Sequence, residues 1–131
     1  MERTAGFLIV RESDFHILCL RIYKSFDLPK GHVEDGETEL EAAYREAKEE
    51  ANIENVSFPW GKESIIINHP KKKKSVTLFL CTTDDVPSIL PNPKTGKFEH
   101  HAVSWLSLDE AEKCLHVYLR PAIAWIRKRL V

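Results

Sequence analysis

The chain has 131 residues, of which 43% are hydrophobic and 30% are charged, and this balance suits a globular protein with a real core. Its formal net charge of -1 excludes the global basic field that draws proteins to nucleic acids or anionic membranes. We therefore expect one domain over residues 1–131, in which any recognition of an anion is local.

Three cysteines, Cys19, Cys81 and Cys114, stand far apart along the chain. An odd and scattered set argues against a disulfide framework and against a cysteine-based zinc site, so we expect buried or idle thiols. The apolar run over residues 5–10 is too short for a signal peptide or a membrane span. These features predict a cytoplasmic protein that does not enter a membrane.

The first third of the chain favours a β-hairpin followed by a loop. Residues 5–10 and 15–22 are rich in strand-forming residues, and the polar residues 12–14 between them favour a turn. Residues 27–31 and 34–36 contain Asp, Pro and Gly, which are typical of a connecting loop.

A helix is predicted over residues 37–51, because Leu40, Ala43, Tyr44, Ala47 and Ala51 recur at helical spacing and form one apolar stripe. The residue that follows, Asn52, tolerates the left-handed backbone conformation. We expect it to end the helix as a C-terminal cap.

The second half predicts two strands, an irregular loop, a short strand and two helices. The first of these helices begins with a capping box at Ser107, and Pro121 is acceptable in the last one only near its start. Strands and helices in this mixed order predict an α/β (α+β) fold, with a mixed sheet covered by helices. The predicted segments are strands 64–67 and 75–81, loop 86–97, strand 101–106, a helix from Ser107, and a final amphipathic helix with apolar positions from Leu115 to Leu130.

Three acidic residues, Glu46, Glu49 and Glu50, fall close together on one side of the predicted helix, away from its apolar stripe. Like charges at these spacings weaken a helix by a few tenths of a kcal/mol per pair, about 0.2–0.5. A hard divalent cation such as Mg²⁺ offsets that repulsion. The helix alone leaves open a second interpretation, a solvated acidic face softened by Arg45 and Lys48.

The segment that includes this helix resembles the Nudix box. The box pairs a Gly with a Glu six residues later, and then with an Arg-Glu and a Glu-Glu on a helix. One position departs from the pattern, since Asn52 stands at its second Gly. The positions in register are Gly31, Glu37, Arg45, Glu46, Ala47, Glu49, Glu50 and Ile53.

Resemblance to this family implies an αβα sandwich with a central mixed sheet, and a catalytic motif made of a loop, a helix and a loop. It implies that Glu46, Glu49 and Glu50 bind Mg²⁺, for which Mn²⁺ substitutes. A backbone carbonyl near Lys30 or Gly31 is a further expected metal ligand. By the same resemblance, Arg45 orients a glutamate through a charge-assisted hydrogen bond, and Glu37 has a structural role.

More of the chain is similar to one branch of the family, the asymmetrical diadenosine tetraphosphate hydrolases. Residues 28–34 (Leu-Pro-Lys-Gly-His-Val-Glu), 74–76 (Lys-Ser-Val) and 99–106 (Glu-His-His-Ala-Val-Ser-Trp-Leu) resemble segments of that branch. The resemblance implies phosphate contacts from Lys30 and Lys74, and a loop carboxylate at Glu99 that acts as metal ligand or base.

Two aromatic side chains, Phe26 and Tyr118, are candidates for stacking on a nucleotide base. The chain departs from the branch at Ile67, where we expect a base-stacking Tyr, and in a shorter loop before Phe26. Stacking is worth about 1–3 kcal/mol per base, so these departures bear on the substrate more than on the hydrolysis. Trp60, Trp105 and Trp125 are expected in the core.

The expected reaction is attack of water on phosphorus in a dinucleoside polyphosphate, with two or three magnesium ions held by the helix glutamates and the substrate. Glu46, Glu49 or Glu99 takes the water proton, and we favour Glu46. Alternative substrates are the 5′ end of RNA, a nucleoside triphosphate and a nucleotide sugar. Phosphate or RNA contact by Lys71 to Lys74 is a further hypothesis, set against a solvated turn. A nucleotide-binding Nudix domain without activity is the rival from another class, although such domains lack one of the glutamates.

Overall fold

The computed structural model describes residues 1–130. Within this range, the strands form one sheet and the helices lie outside it. The strands are β1 (Glu2–Arg11), β2 (His16–Ile22), β3 (Ser25–Asp27), β4 (Lys30–His32), β5 (Ser64–Asn68), β6 (Lys74–Thr82) and β7 (Ala102–Leu106). The helices are α1 (Glu39–Ala51), α2 (Leu108–Cys114) and α3 (Pro121–Arg129), with a 3₁₀ turn at Val117–Leu119 before α3.

The sheet is mixed, as the sequence predicts. Along its main path the order is β3-β2-β1-β6-β5, and only the central pair β1 and β6 runs parallel among the described strands. Two antiparallel strands pair with the same edge of β1. Its C-terminal end pairs with β2, and its N-terminal end pairs with β4. This division places β4 beside the first residues of the chain.

Both faces of the sheet are covered, which explains the continuous apolar run in β1. Because successive side chains of a strand point to opposite faces, Phe7 and Ile9 pack in one buried cluster with α1. Leu8 and Val10 pack in a second cluster, on the other face, with α3. The fold is therefore the expected αβα arrangement.

Helix α1 has well-defined ends. At its start the Thr38 side chain accepts a hydrogen bond from the Glu41 amide while Glu41 caps the Thr38 amide. At its end Asn52 adopts φ 57° and ψ 38°, so the predicted left-handed cap is confirmed. The helix begins two residues later than predicted, because the Glu37 amide donates to the Glu34 carbonyl in a preceding turn.

Two predicted elements need correction. Residues 30 and 31 were expected in a loop but belong to β4, since the backbone of Lys30 to His32 pairs with Thr4 to Gly6. The last helix was expected to include Leu115 and Leu119, but it begins at Pro121. Both leucines are nevertheless fully buried in the core, because the turn before α3 folds onto the same sheet face.

The expected positions of the three tryptophans and of two cysteines agree with the structure, whereas Tyr44 of the predicted apolar stripe is exposed. Trp60, Trp105 and Trp125 are partly buried against the hydrophobic clusters. Cys19 and Cys81 are buried free thiols. None of the helices described for residues 1–130 is long and apolar enough to cross a bilayer.

The contact of β4 with β1 predicts that Gly6→Ala destabilises the fold. A Cβ at Gly6 would lie 2.2 Å from the Pro29 carbonyl oxygen and 2.8 Å from the Lys30 Cα. Because these are backbone atoms, the two strands must separate, and we expect a loss of about 1–3 kcal/mol in unfolding free energy. Chemical denaturation of the purified variant measures the loss. An unchanged unfolding midpoint would contradict the close packing of these strands.

Candidate active site

Strand β4 and helix α1 bring Gly31, the first glycine of the box pattern, together with Glu46 and Glu50. The backbone amide of Lys30 donates to Glu50 Oε1 at 2.9 Å. A Cβ at Gly31 would lie 2.2 Å from both Cδ and Oε1 of Glu46, so that carboxylate rests directly against the glycine. The pairing of β4 with β1 therefore fixes where both carboxylates of α1 lie.

Arg45 joins several of these groups. Its guanidinium donates to both carboxylate oxygens of Glu37, at 2.7 and 3.0 Å, and to Glu46 Oε1 at 2.7 Å. It also donates to the His32 carbonyl oxygen at 2.7 Å. The hydrogen bonds from Arg45 hold the pKa of Glu37 below its usual value. Such charge-assisted bonds tie the loop before α1 to the acidic face of the helix.

Glu46 and Glu50 are buried carboxyl groups, each with only 12% of the side chain exposed. Burial, and then the neighbouring Glu46 charge, raise the pKa of Glu50 to about 9. Burial also raises the pKa of Glu46, although Arg45 opposes the shift. Crowding desolvated carboxyl groups does not stabilise a protein, and a cation bound between them would offset the cost.

A cavity of about 370 Å³ opens over these carboxylates. It gathers residues from β4, α1, β6 and the loop before β7, which stand far apart in sequence. Eight of the residues singled out in the sequence line it, namely Lys30, Gly31, Arg45, Glu46, Glu49, Glu50, Lys74 and Glu99.

A second cavity, of about 600 Å³, shares Lys30 and Lys74 with the first and extends to Tyr118. The Lys30 ammonium lies 3.2 Å from Asp27 Oδ1, and both lysine ammoniums lie over the Tyr118 ring, at 5.9 and 5.5 Å from its centroid. The two lysines thus stand between the acidic cavity and the aromatic ring. Lys71 and Lys72 line the outer part of the same cavity.

Phe26, a candidate for base contact, and Ile67, which stands where a stacking Tyr was expected, both lie away from these cavities. Phe26 packs against the hydrophobic core, and its carbonyl oxygen accepts from the His116 amide at 3.2 Å. Ile67 is buried in the same core. Neither residue is among those that line the two cavities.

Several cavity residues were not assigned a role from the sequence, among them His100, His69 and Asn92. His100 is buried, with Nδ1 at 3.8 Å from Glu50 Oε2. The His69 ring lies 4.7 Å from that of Tyr118. Asn92 donates to Glu99 Oε1 at 2.7 Å. The histidines carry no local pattern that separates a cavity position from a structural one, and Asn92 lies in a loop whose path depends on long-range packing.

The chemistry of the donors suits a hard divalent cation. Glu46, Glu49 and Glu50 supply carboxylate oxygens, the ligands that Mg²⁺ prefers. Among residues 1–130, no group of three acidic, His or Cys side chains already surrounds a single point. In this arrangement Arg45 holds Glu46, and the Lys30 amide holds Glu50. The cavity thus offers oxygen donors of the kind that a hard divalent cation prefers.

Comparisons with known proteins agree on the family. The family described as "NUDIX domain" matches residues 1–126. A Caenorhabditis elegans protein named "Bis(5'-nucleosyl)-tetraphosphatase [asymmetrical]" is 32% identical over 119 residues, which is 85% of this chain and 83% of that protein. A Rattus norvegicus protein of the same name is 36% identical over 86 residues, covering 63% of this chain and 56% of its own length.

Solved structures show the same fold. The structure described as "C. elegans Ap4A Hydrolase Binary Complex" matches with a TM-score of 0.76 and 26% identity, covering 99% of this chain and 98% of that one. The MutT protein from Methanosarcina mazei Go1 matches with a TM-score of 0.73 and 22% identity, over 97% and 93% of the two chains. The family model matches nearly the whole described chain, and the box residues lie around one cavity. The chain therefore belongs to the Nudix hydrolase family.

Proposed function

We propose that this protein hydrolyses a phosphoanhydride bond of a dinucleoside polyphosphate, such as diadenosine tetraphosphate, to ATP and AMP. The observation that carries the proposal is the cavity in which buried Glu46 and Glu50 face Lys30 and Lys74. Carboxylates suit a divalent cation and lysines suit phosphate oxygens, so a polyphosphate with bound cations satisfies both sets. The similarity to proteins named as asymmetrical tetraphosphatases supports this substrate class.

Glu46, Glu49 and Glu50 are proposed to hold Mg²⁺, with Glu99 and a backbone carbonyl of Lys30 or Gly31 as further ligands; Mn²⁺ is expected to substitute. When bound, such ions neutralise phosphate charge and lower the pKa of a coordinated water. The exposure of Glu49, whose side chain is 35% accessible, suits a ligand at the mouth of the cavity.

Glu46 is the proposed general base. Its Oε1 accepts from Arg45 at 2.7 Å, which leaves Oε2 for the cation or for the proton of the attacking water. Burial raises the pKa of this carboxyl, which makes it a better proton acceptor near neutral pH. A bond forms from the water oxygen to phosphorus, the anhydride P–O bond breaks, and the leaving phosphate oxygen takes the electron pair.

Lys30 and Lys74 are proposed to contact the phosphates. Each is a strong point charge at the boundary of the two cavities. Their contacts with Tyr118 place an aromatic ring where the phosphate chain would leave the acidic cavity. Tyr118 is therefore the proposed base contact, whereas the position of Phe26 against the core speaks against a role in stacking.

A second candidate substrate is the triphosphate end of RNA. The observation that favours it is the lining of the second cavity, where Lys71 and Lys72 add positive charge beyond Lys30 and Lys74. A strand with a phosphate at every nucleotide gains more from such a surface than a second nucleoside does.

Product analysis separates the candidates. We expect ATP and AMP from diadenosine tetraphosphate with Mg²⁺, and a slower release of pyrophosphate from triphosphorylated RNA. Reaction in ¹⁸O-labelled water shows which phosphorus is attacked, since the label then appears in one product only. Glu12→Gln is the matched control for glutamine variants of the cavity glutamates. It removes an exposed carboxylate in the β1–β2 turn, and we expect unchanged turnover. Tight nucleotide binding without any product, with Mg²⁺ and with Mn²⁺, would overturn the proposal in favour of a binding domain.

A further inference from the structure

The loop before β7 contains a short hydrogen-bonded turn built on Asn92. The Asn92 amide donates to the Lys97 carbonyl oxygen, and the Gly96 amide donates to the Asn92 carbonyl oxygen, both at 2.8 Å. Gly96 adopts φ +70°, a conformation that favours glycine and lets the turn close. The backbone of Asn92 is therefore fixed from both sides.

The side chain of Asn92 is oriented by the same turn. Its Oδ1 accepts from the backbone amides of Lys94 and Thr95, at 2.8 and 3.3 Å. Oxygen and nitrogen of an asparagine are assigned from their partners, and two amide donors require the oxygen on that side. The Nδ2 group consequently faces Glu99, to whose Oε1 it donates at 2.7 Å.

Glu99 is the acidic residue of this loop that faces the catalytic carboxylates. It lines the same cavity as Glu46, Glu49 and Glu50, and its charge acts on Glu46. Glu99 itself is exposed, and a long exposed side chain has many rotamers. The hydrogen bond from Asn92 selects among them, because the donor is anchored by the turn.

We propose that Asn92 is a positioning residue, which holds the Glu99 carboxylate toward the cavity through its Nδ2 group. This inference rests on the proposed function in one respect, namely that Glu99 takes part in the reaction or in cation binding. The role requires a hydrogen-bond donor at Nδ2, whereas the turn requires only the acceptor at Oδ1.

The substitution Asn92→Asp separates these two roles. An aspartate retains the acceptor that caps Lys94 and Thr95, so the turn persists. It loses the donor to Glu99 and puts a second negative charge beside that carboxylate, which repels it. Loss of a partner that orients a metal ligand costs about 10–100-fold in activity or metal affinity. We expect kcat to fall by that factor in Asn92→Asp, and we expect KM to change by a smaller factor than kcat.

The control is Asn55→Asp. Asn55 is exposed and donates to Asp85 Oδ1 at 3.4 Å, so the same amide-to-carboxylate contact is removed, at a position that does not line the cavity. We expect wild-type turnover from this variant. Mn²⁺ affinity, measured by electron paramagnetic resonance without substrate, supplies a second readout, and we expect it to weaken in Asn92→Asp and in Glu99→Gln alike. The double variant is expected to lose little more than either single one.

Three results would overturn the inference. Wild-type kcat and Mn²⁺ affinity in Asn92→Asp, with losses in Asn92→Ala, would show that Asn92 serves only the turn. Full activity and Mn²⁺ affinity in Glu99→Gln would show that there is no carboxylate to position. Independent, multiplicative losses in the double variant would show that the two residues act separately. Failure of the proposed function appears differently, as absence of product from the wild-type protein, and the Mn²⁺ measurement then still decides the role of Asn92.

Discussion

Glu50→Gln is expected to remove most of the hydrolytic activity while leaving the fold intact. The Glu50 side chain is buried at the floor of the cavity, and its carboxylate is a proposed ligand for Mg²⁺. Removing an outer partner of a ligand costs about 10–100-fold, so removing a ligand itself is expected to cost at least 100-fold in kcat. Turnover of diadenosine tetraphosphate at saturating Mg²⁺ measures the effect, and near-normal turnover in a folded variant would refute the ligand assignment.

The same substitution is expected to stabilise the metal-free protein at alkaline pH. The pKa of Glu50 rises to about 9 in the folded protein, from an ordinary value of 4.5. The folded state therefore holds a proton that the unfolded state releases, and stability falls as pH rises from about 4.5 to 9. Glutamine is neutral, so this loss disappears in the variant.

Thermal unfolding in the presence of a chelator tests the direction of this pH dependence. The melting temperature of Glu50→Gln should exceed that of the wild type by an increment that grows between pH 5 and pH 8. Added Mg²⁺ should raise the melting temperature of the wild type more than that of the variant, because binding stabilises the folded state. An increment that is constant with pH would show that the pKa of Glu50 is not raised in the folded protein, so that the carboxyl ionises alike in both states.

Gly31→Ala is expected to impair the reaction with little effect on stability. A Cβ at this position would lie 2.2–2.5 Å from the Glu46 carboxylate. The three nearest atoms all belong to that side chain, and none is a backbone atom. The carboxylate is the end of a flexible side chain, so it swings away and the strand stays in place. A displacement near 1 Å at a catalytic group costs about 100-fold in rate, and we expect a loss of that size in kcat.

The comparison with Gly6→Ala makes the test specific. Both changes add one methyl group to the same strand pair, but at Gly6 the obstructing atoms belong to the backbone. We expect Gly6→Ala to lower stability and Gly31→Ala to lower kcat. If Gly31→Ala unfolds at lower denaturant concentration and keeps its specific activity, the role assigned to this glycine is wrong.

Local sequence patterns predicted the elements that depend on near neighbours. The register of α1 follows from alanines at helical spacing, and its end follows from the tolerance of Asn52 for a left-handed conformation. The capping box at Ser107 is confirmed for the same reason, because its hydrogen bonds link residues only three apart. Strand β1 shows no alternation of polar and apolar residues, because both of its faces are buried. The strand itself was nevertheless predicted from its composition.

Elements that depend on distant partners were not predicted. Strand β4 has three residues and no periodicity, and it forms because β1 offers an unpaired edge beyond the end of β2. The apolar spacing also extended α3 back to Leu115 and Leu119, which lie before the helix, although Pro121 is at its start as expected. In both cases tertiary packing overrode the local pattern.

For this protein, the sequence by itself determined the family, the acidic face of α1 and the identity of half of the residues that line the acidic cavity. A motif of fixed spacing on one helix needs no knowledge of the rest of the fold. Only the tertiary structure decided that Gly31 lies under Glu46, that Phe26 belongs to the core and that Asn92 faces Glu99. These contacts join chain segments through strand pairing and loop packing, and their geometry is set by long-range burial that no local spacing encodes.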